Sequence, residues 1–381
     1  MAERSLDFYS ITAPGLERIL ADEHCRAGFT RLDVSRGGVA WRGTVRELYR
    51  ANLWLRTATR VLVRVASFRA SSFAELESRA AKLPWGRFVR ARDNVRFRVT
   101  SHKSALYHSD AVAERLAKCV AAATGCAPAG KLRAQEDDDG LGGEQLFIVR
   151  IDHDTLTLSA DSSGAILHKR GYRQELAKAP LRETLAAAML LSSGWTPADQ
   201  LLDPMCGSGT IPIEAALLAR NIPPGLHREF RFERWPGFDS NAWLAIQEAA
   251  TAGMLARAPA AIIAADRDAG AVAAAMSNAE RADVAADIEI VQRPLSESWT
   301  PGSERGWVIT NPPYGIRVGT DVRNLYAKLG SLLRTSLVGW RLGMLSASPE
   351  LDRQVGLAFD RSFDSKNGGI PVRFLVSKSP S

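Results

Sequence analysis

The second half of the chain repeats one local pattern, in which a short apolar run is followed by a turn and often by a helical segment. The runs are QLLDP, AIIAAD, IEIVQ, GWVITNPPYG, RLGMLSAS and PVRFLVSK, and helical stretches such as IPIEAALLAR, AGAVAAAMSNAERA and NLYAKLGSLLRTSL lie between them. Strands that alternate with helices build a mostly parallel sheet covered on both faces. Ligands of such sheets bind at the carboxyl ends of the strands, so we expect functional side chains directly after these runs.

The first such end is LLDPMCGSGTIPIEAALL, residues 201–218. Asp203 follows the run, and a Gly-Ser-Gly turn at 207–209 enters a helix predicted to start near Ile211, so backbone amides can approach a ligand closely. A phosphate loop is excluded because its lysine is missing, and the dinucleotide pattern fails because Pro212 stands at its third glycine. The loop suits S-adenosylmethionine, whose ammonium Asp203 can meet; a purely structural turn is the alternative.

Two later strand ends favour the same interpretation. In AIIAADRDAGAV, Asp266 ends the next run, where a carboxylate can accept the two hydroxyls of a ribose, and Asp268 is expected to cap the following helix. The segment ITNPPYG, residues 309–315, follows the fourth run. Three polar strand ends therefore converge on one predicted ligand site.

The Asn-Pro-Pro-Tyr segment indicates methyl transfer to the amine of a nucleobase. Such an amine is a poor nucleophile because its lone pair is delocalised into the ring, so both N–H groups need fixed acceptors. Asn311 offers a side-chain oxygen and Pro312 a carbonyl oxygen, both stiffened by Pro313, and Tyr314 can stack on the base. The alternative is an ordinary turn with a surface tyrosine.

The first half of the chain predicts two α+β units. The first has strands LDFYSITA, GGVAWRG and TRVLVRVASF and two helices, one with Pro14 at its start and one capped by Thr44. From Ser71 the second has the helices SSFAELESRAAKL and SDAVAERLAKCVAAATG, the latter with Ser109 as cap and Gly125 as stop, and the strands VRFRVTSH, QLFIVRID and TLTLSAD. The acidic segment QEDDDGLGG is interpreted as a solvated hairpin loop, with metal binding as the weaker alternative.

Basic residues concentrate in one segment. Residues 51–100 contain eleven Lys or Arg against three Asp or Glu, whereas residues 201–300 contain eight against thirteen. With the interleaved Trp and Phe residues, the segment indicates a polyanion-binding face; the alternative is a solvated surface whose arginines pair with carboxylates elsewhere.

Composition limits the classes of protein to which this chain can belong. With 381 residues, 46% of them apolar, the chain can form two or three domains. No apolar stretch is long enough for a bilayer and MAERSLDFYS carries charges where a signal peptide would be apolar, so a cytoplasmic location is expected. The four cysteines lack CxxC spacing and neighbouring histidines, so neither a metal nor a disulfide is indicated, and no obligate protein partner is evident.

Several segments together resemble the THUMP-domain guanine-N2 RNA methyltransferases. They are HKRGYR with APLRETLAAAML, DPMCGSGTIPIEAALLA, the spacer NIPPGLHREFRFERWPGFD, NPPYGIRVG and, for the THUMP segment, SHKSALYHSDAVAERL. The resemblance implies a ferredoxin-like domain at 1–65, a THUMP RNA-binding domain at 66–165 and, at 166–381, a Rossmann-fold class I methyltransferase domain with a mostly parallel seven-stranded sheet. The spacer accounts for the 63 positions between Asp203 and Asp266.

The resemblance also implies a reaction and a set of site residues. The reaction is S-adenosylmethionine-dependent methylation of guanosine N2 in structured RNA, with 23S ribosomal RNA as the first candidate and transfer RNA as the second. RNA would be held by the THUMP domain and a basic surface in residues 51–103. The target guanine would be held by Asn311, Pro312, Pro313 and Tyr314, and the cofactor by Asp203, Pro204, Cys206, Gly207, Gly209, Asp266 and Arg267, with Leu181 and Thr184 closing over it.

One position departs from the family pattern, and other functions compete. Members show an Asp after the third strand near the adenine, but this chain has Pro294 there, so backbone groups at 293–295 or the Ser296 hydroxyl are expected to substitute. Cys206 has no neighbouring base and is not expected to act as a nucleophile. A DNA amino-methyltransferase is disfavoured because the first half has no evident helix-turn-helix. A uridine thiolation enzyme is disfavoured because the SGGxDS loop is missing. A non-catalytic RNA-binding protein is disfavoured because the strand-end residues are intact.

Overall fold

The structure is a computed structural model that describes residues 5–128, 144–174, 181–297, 299, 302–314 and 320–378. The acidic segment QEDDDGLGG lies outside the described residues, so its interpretation as a hairpin loop stays a prediction. The described chain forms an eight-stranded sheet followed by a seven-stranded sheet. None of its helices is both long enough and apolar enough to cross a bilayer.

The first sheet has the strand order β2-β3-β1-β4-β8-β7-β5-β6. Its strands are β1 Leu6–Thr12, β2 Asp33–Ser35, β3 Gly38–Gly43, β4 Ala58–Arg69, β5 Asn94–His102, β6 Ala127–Pro128, β7 Gln145–Asp152 and β8 Thr155–Asp161, and its helices are α1 Glu17–Arg26, α2 Val45–Trp54, α3 Phe73–Ala80 and α4 Ser109–Thr124. Strand β4 pairs with β1 on one side and with β8 on the other. The predicted limit between residues 65 and 66 therefore falls inside a strand that both units share.

Local chemistry explains several helix ends. Thr44 caps α2 as predicted, because its side chain accepts the Glu47 N–H while the Glu47 carboxylate accepts the Thr44 N–H. Gly125 ends α4 as predicted, with φ of +71°. The prediction for Ser109 was wrong: it is the first helical residue, and His108 occupies the cap position without a side-chain hydrogen bond.

The hairpin formed by β7 and β8 does not contain the acidic segment QEDDDGLGG. Strands β7 and β8 pair antiparallel and are joined by a tight turn at His153 and Asp154. The acidic segment precedes both strands in the chain, so it does not connect them.

The second sheet has the order β11-β10-β9-β12-β13-β15-β14, in which β11, β10, β9, β12 and β13 run parallel and β15 pairs antiparallel with both β13 and β14. The strands are β9 Gln200–Asp203, β10 Ile262–Asp266, β11 Ile288–Gln292, β12 Gly306–Thr310, β13 Arg341–Ser346, β14 Phe359–Asn367 and β15 Ile370–Ser377, and the helices are α5 Glu183–Ser193, α6 Thr210–Ala219, α7 Ser240–Ala252, α8 Ala269–Arg281, α9 Thr320–Thr335 and α10 Pro349–Val355. Successive strand residues point to opposite faces, and Leu201 and Leu202 are both buried, in different apolar clusters. The seven-stranded, mostly parallel sheet covered on both faces is confirmed.

The two halves share a buried interface. Phe230, Phe232 and Trp243 belong to the family-like spacer and α7, yet they lie in the apolar core of the first half. The ring of Tyr49 on α2 stacks on Phe232 at 4.4 Å and meets Trp243 edge-on at 5.9 Å. Part of the predicted domain 166–381 therefore packs as an integral layer of the N-terminal half.

The predicted basic face is only partly exposed. Arg56 and Arg60 are buried: Arg56 donates to the Ile222 carbonyl at 2.6 Å, and Arg60 pairs with Asp161. Trp85 and Phe88 are core residues rather than surface rings. Composition does not specify which side of an element a residue occupies, so only part of the segment can contribute to the predicted polyanion-binding face. The exposed basic residues between 51 and 103 are Arg69, Arg79, Lys82, Arg87, Arg90, Arg92, Arg98 and Lys103.

Candidate active site

Three neighbouring parallel strands of the second sheet end in polar side chains. Asp203 is the last residue of β9, Asp266 is the last residue of β10, and Asn311 directly follows β12. Strand β9 lies between β10 and β12, and adjacent strands are about 4.8 Å apart. The sheet therefore brings these three residues to one edge, where α/β sheets bind ligands.

The glycine turn has two separate geometric requirements. Gly207 and Gly209 have φ of +53° and +82°, in the left-handed region that favours glycine. A Cβ on Gly209 would lie 3.0 Å from the Cβ of Ala275 on α8, whereas a Cβ on Gly207 would meet no atom within 4 Å. Gly209 is thus required by packing between helices, and Gly207 borders open space that a ligand can fill.

Asp203 is a buried carboxyl group without a paired cation. It is 1% exposed, its Oδ1 accepts the Met205 N–H at 3.2 Å, and among the described residues it forms no ion pair. Burial raises the pKa of Asp203 to about 7, and the negative charge of Asp266 adds to the rise. A cation placed beside this carboxyl would favour its ionised form.

Asp266 is held by the glycine turn itself. Its carboxylate accepts the N–H groups of Gly207 and Asp268, both at 3.0 Å. Asp268 caps α8 as predicted, since its side chain accepts the N–H of Gly270 at 2.7 Å. The carboxylate of Asp266 is therefore fixed in direction and keeps lone pairs for a hydroxyl ligand.

The residues nearest the expected adenine position offer mainly backbone groups. Arg267 is exposed, and its carbonyl accepts the side-chain amide of Gln292 at 3.2 Å. The Arg293 N–H donates to the Asp266 carbonyl at 2.9 Å, and Pro294 opens a turn whose carbonyl accepts the Glu297 N–H. The Arg267 side chain forms no ion pair among the described residues, so its assignment to the cofactor stays a prediction.

Asn311 carries an unsatisfied acceptor. Its Oδ1 is buried and accepts no hydrogen bond from the described residues. Pro312 is buried and Pro313 exposed. A buried amide oxygen without a donor costs about 1 to 3 kcal/mol, so an N–H donor that reached this atom would stabilise it.

Tyr314 is anchored by a residue that the sequence analysis missed. The side-chain amide of Asn367, at the end of β14, donates to the Tyr314 hydroxyl at 2.9 Å, and burial raises the pKa of Tyr314. The two residues are 53 positions apart, and Asn367 belongs to an antiparallel edge strand. No motif signals this contact, which only the tertiary fold creates.

The segment that leads into α5 is tied to the glycine turn. Arg173 donates to the Leu181 carbonyl at 2.6 Å and to the Thr210 hydroxyl at 2.5 Å, and it pairs with Glu183 at 3.1 Å. Leu181 and Thr184 are buried at the start of this helix. Arg173, a second residue missed from sequence, thus holds the starts of α5 and α6 together.

The other two residues assigned to the loop after β9, Pro204 and Cys206, do not have the properties of a nucleophile. Pro204 is buried beside Asp203. Burial, together with the charges of Asp203 and Asp266, raises the pKa of the Cys206 thiol far above its usual range. The thiol therefore stays protonated, and its structural contribution is a backbone N–H that donates to the Ala265 carbonyl at 2.9 Å.

A doubly covered parallel sheet with two acidic strand ends, a glycine turn and an Asn-Pro-Pro-Tyr segment defines an α/β methyltransferase. Residues 170–374 match the family model described as "RMKL-like, methyltransferase domain", and residues 7–62 match the RlmL ferredoxin-like domain. The chain belongs to the RMKL-like methyltransferase family, and the membership predicted from the sequence is confirmed.

Individual relatives cover nearly the whole chain. The ribosomal RNA large subunit methyltransferase K/L of Marinobacter nauticus is 34% identical over 385 residues, which cover 97% of this chain but 52% of that protein. YpsC of Bacillus subtilis, named as an RNA methyltransferase, is 36% identical over 95% of this chain and 94% of its own length. The crystal structure of SMU.472, a methyltransferase complexed with SAH, superposes with a TM-score of 0.85 at 27% identity and covers 100% of this chain and 99% of that one. The chain therefore spans about half the length of the K/L relative and almost all of the other two.

Proposed function

We propose that this protein is an S-adenosylmethionine-dependent RNA methyltransferase that modifies the N2 amine of a guanosine, with large-subunit ribosomal RNA as its substrate. The observation that carries the proposal is the buried, unsatisfied amide oxygen of Asn311 at the strand end beside Asp203. The K/L relative, whose name specifies large-subunit ribosomal RNA, supports the choice of substrate. Transfer RNA is the second candidate.

The residues at the strand ends fit the proposed cofactor. When bound, S-adenosylmethionine supplies an electron-poor methyl group on a sulfonium centre. Asp203 is a buried acid without a cation, which suits a cationic ligand, and the open space at Gly207 leaves room beside the backbone. Asp266 would accept the ribose hydroxyls, and Gly209 and Cys206 would shape the turn.

The Asn-Pro-Pro-Tyr segment would hold the target amine. Asn311 Oδ1 would accept one N–H and the Pro312 carbonyl the other, so that the nitrogen lone pair points towards the methyl group. Pro313 restricts the backbone, and the Tyr314 ring, anchored by Asn367, would stack on the base. No strong base is required, because the leaving group is neutral and the amine loses its proton after attack has begun.

The N-terminal half would bind the RNA. We assign a ferredoxin-like domain to 1–65, a THUMP domain to 66–165 and the methyltransferase domain to 166–381, with a cytoplasmic location. The exposed basic residues between 69 and 103 carry the positive charge that phosphate binding needs. Arg56 and Arg60 are structural and are left out of this surface.

The test is a methyl-transfer assay with nucleoside analysis. Purified protein is incubated with S-adenosylmethionine and either ribosomal RNA, transfer RNA or DNA, and the products are digested and identified by mass spectrometry. We expect N2-methylguanosine from ribosomal RNA. Methyl groups on adenine, or on DNA alone, would overturn the substrate assignment, and no binding of S-adenosylmethionine in calorimetry would overturn the cofactor.

The role of Asn311 has its own test. Asn311→Ala should leave cofactor binding unchanged and slow methyl transfer about a hundredfold or more, the usual effect of losing a preorganised contact. Asn324→Ala is the matched control, since Asn324 is exposed on α9. Parallel loss of binding and transfer would show that the site had collapsed and that Asn311 is structural.

A further inference from the structure

Three side chains that commonly bind metal ions converge at one end of the eight-stranded sheet. His102 ends β5, Asp152 ends β7 and His153 begins the turn to β8. The Nδ1 atoms of His102 and His153 lie 2.9 and 3.1 Å from the same carboxylate oxygen of Asp152. One ligand atom from each residue lies within 4.8 Å of the others. Fifty positions separate His102 from Asp152, so no sequence motif marks the cluster.

The backbone holds these side chains in place by an unusual turn. His153 and Asp154 have φ of +46° and +62°, values that such two-residue turns normally meet with Asn-Gly. The loop after His102 stabilises the turn: the His153 N–H donates to the His102 carbonyl at 3.2 Å, the Asp154 N–H to the Ser104 hydroxyl at 3.0 Å, and the Ala105 N–H to the Asp154 carboxylate at 2.8 Å. These bonds fix the turn relative to the end of β5, and His and Asp are among the non-glycine residues that adopt positive φ most often.

The ligand atoms are close enough for one transition-metal ion to bind all three. Nitrogen and oxygen ligands lie about 2.0 to 2.2 Å from Zn²⁺, which places neighbouring ligands of a tetrahedral site about 3.3 to 3.6 Å apart. The two observed separations, 2.9 and 3.1 Å, are hydrogen-bond distances, so an ion would replace these two contacts and move the ligand atoms slightly apart. The side chains of His102 and His153 are each 66% exposed and that of Asp152 is 43% exposed, so an ion can reach the site from solvent.

We propose that His102, Asp152 and His153 form a binding site for Zn²⁺ or a similar divalent transition metal. Two imidazoles and one carboxylate favour such ions over Mg²⁺ and Ca²⁺, which prefer oxygen ligands. Three protein ligands leave one tetrahedral position open to solvent. The ion would link the end of β5 to the β7–β8 turn, within the half assigned to RNA binding, and its presence does not depend on the methyltransferase reaction.

Calorimetry on the full chain tests this site. The protein is freed of metal with a chelator, dialysed and titrated with Zn²⁺, and Co²⁺ is used separately for its visible absorption. We expect one ion per chain, and binding weakened more than about tenfold in His102→Asn or His153→Asn. His108→Asn is the matched control, since His108 is an exposed histidine at the neighbouring start of α4. No stoichiometric binding, or equal binding by all three variants, would overturn the proposal.

A second measurement avoids any variant that fails to fold. In the unsubstituted protein, Zn²⁺ should protect His102 and His153 from modification by diethylpyrocarbonate, while His108 continues to react. Peptide mass spectrometry reads each position separately. Equal reactivity of His102 and His153 with and without saturating Zn²⁺ would refute the site.

Discussion

Measuring cofactor affinity across a range of pH tests whether Asp203 is the carboxylate that meets the cationic ligand. Burial raises the pKa of Asp203 in the free protein to about 7, so the group is mostly neutral at pH 5 and mostly ionised at pH 8. Binding next to a cation requires the ionised form, so each pH unit below 7 costs about 1.4 kcal/mol. The dissociation constant for S-adenosylmethionine should therefore be about tenfold larger at pH 6 than on the plateau above pH 8, and about a hundredfold larger at pH 5.

Calorimetry supplies both the slope and the proton count. Titrations in two buffers with different ionisation enthalpies should show release of close to one proton per cofactor at pH 6 and close to none at pH 8. Asp203→Asn should bind weakly and lose this dependence. Asp360→Asn is the control, because Asp360 lies on β14 with its side chain 74% exposed, and should keep the slope.

Two results would refute the reasoning. An affinity that stays constant from pH 5 to pH 8 would mean that Asp203 is already ionised in the free protein or that it does not meet the cation. A slope that persists in Asp203→Asn would assign the titration to another group. Either result would leave the fold unaffected and remove the electrostatic account of cofactor binding.

Further predictions concern stability and RNA binding. Folding raises the pKa of Asp203 from 3.8 to about 7, so the ionised carboxyl increasingly destabilises the folded protein as pH rises between these values. Asp203→Asn should therefore raise the free energy of unfolding above pH 7 by at most about 4 kcal/mol, and change it little near pH 4. Urea unfolding at the two pH values measures the difference. Gly209→Ala should destabilise the fold by about 1 to 3 kcal/mol, since it adds a Cβ at φ of +82° against α8. Lys82→Ala and Arg92→Ala should each reduce the slope of log RNA affinity against log salt concentration by about one. Arg56→Ala should instead lower the melting temperature, because the Arg56 guanidinium is buried between the two halves.

Each of these predictions has a contradicting outcome. An Asp203→Asn protein with unchanged stability at pH 8 would mean that the carboxyl is solvated. A fully stable Gly209→Ala protein would mean that α6 and α8 can move apart at no cost. An unchanged salt slope in the Lys82 and Arg92 variants would mean that these residues are ordinary solvated surface charges that do not contact RNA.

The strand-end residues could be predicted because local order determines them. Asp203, Asp266 and Asn311 each follow a short apolar run, so recognising the runs as parallel strands places all three at one edge. Asn367 and Arg173 could not be found this way, because each acts on an element distant in the chain through a contact that only the packed structure creates.

The basic segment shows a property that the sequence could not predict, namely which of its residues are buried. Its charge and aromatic content predicted a surface, but composition carries no information on which face of an element is covered. Arg56 and Trp85 are buried because other segments pack over them. The tight turn at His153 was missed for a related reason: neither His nor Asp is a strong signal for a two-residue hairpin, and the neighbouring loop supplies the hydrogen bonds that hold it.

The buried interface between the halves has a consequence for target choice. Arg56 donates to the Ile222 carbonyl, the Arg56 carbonyl accepts from Arg170, and Tyr49 stacks on Phe232, so the two halves are joined by specific contacts. An RNA held by the first half would meet the strand ends of the second at a fixed offset. The protein would then work as a molecular ruler, selecting a guanosine by its distance from the anchored part of the RNA.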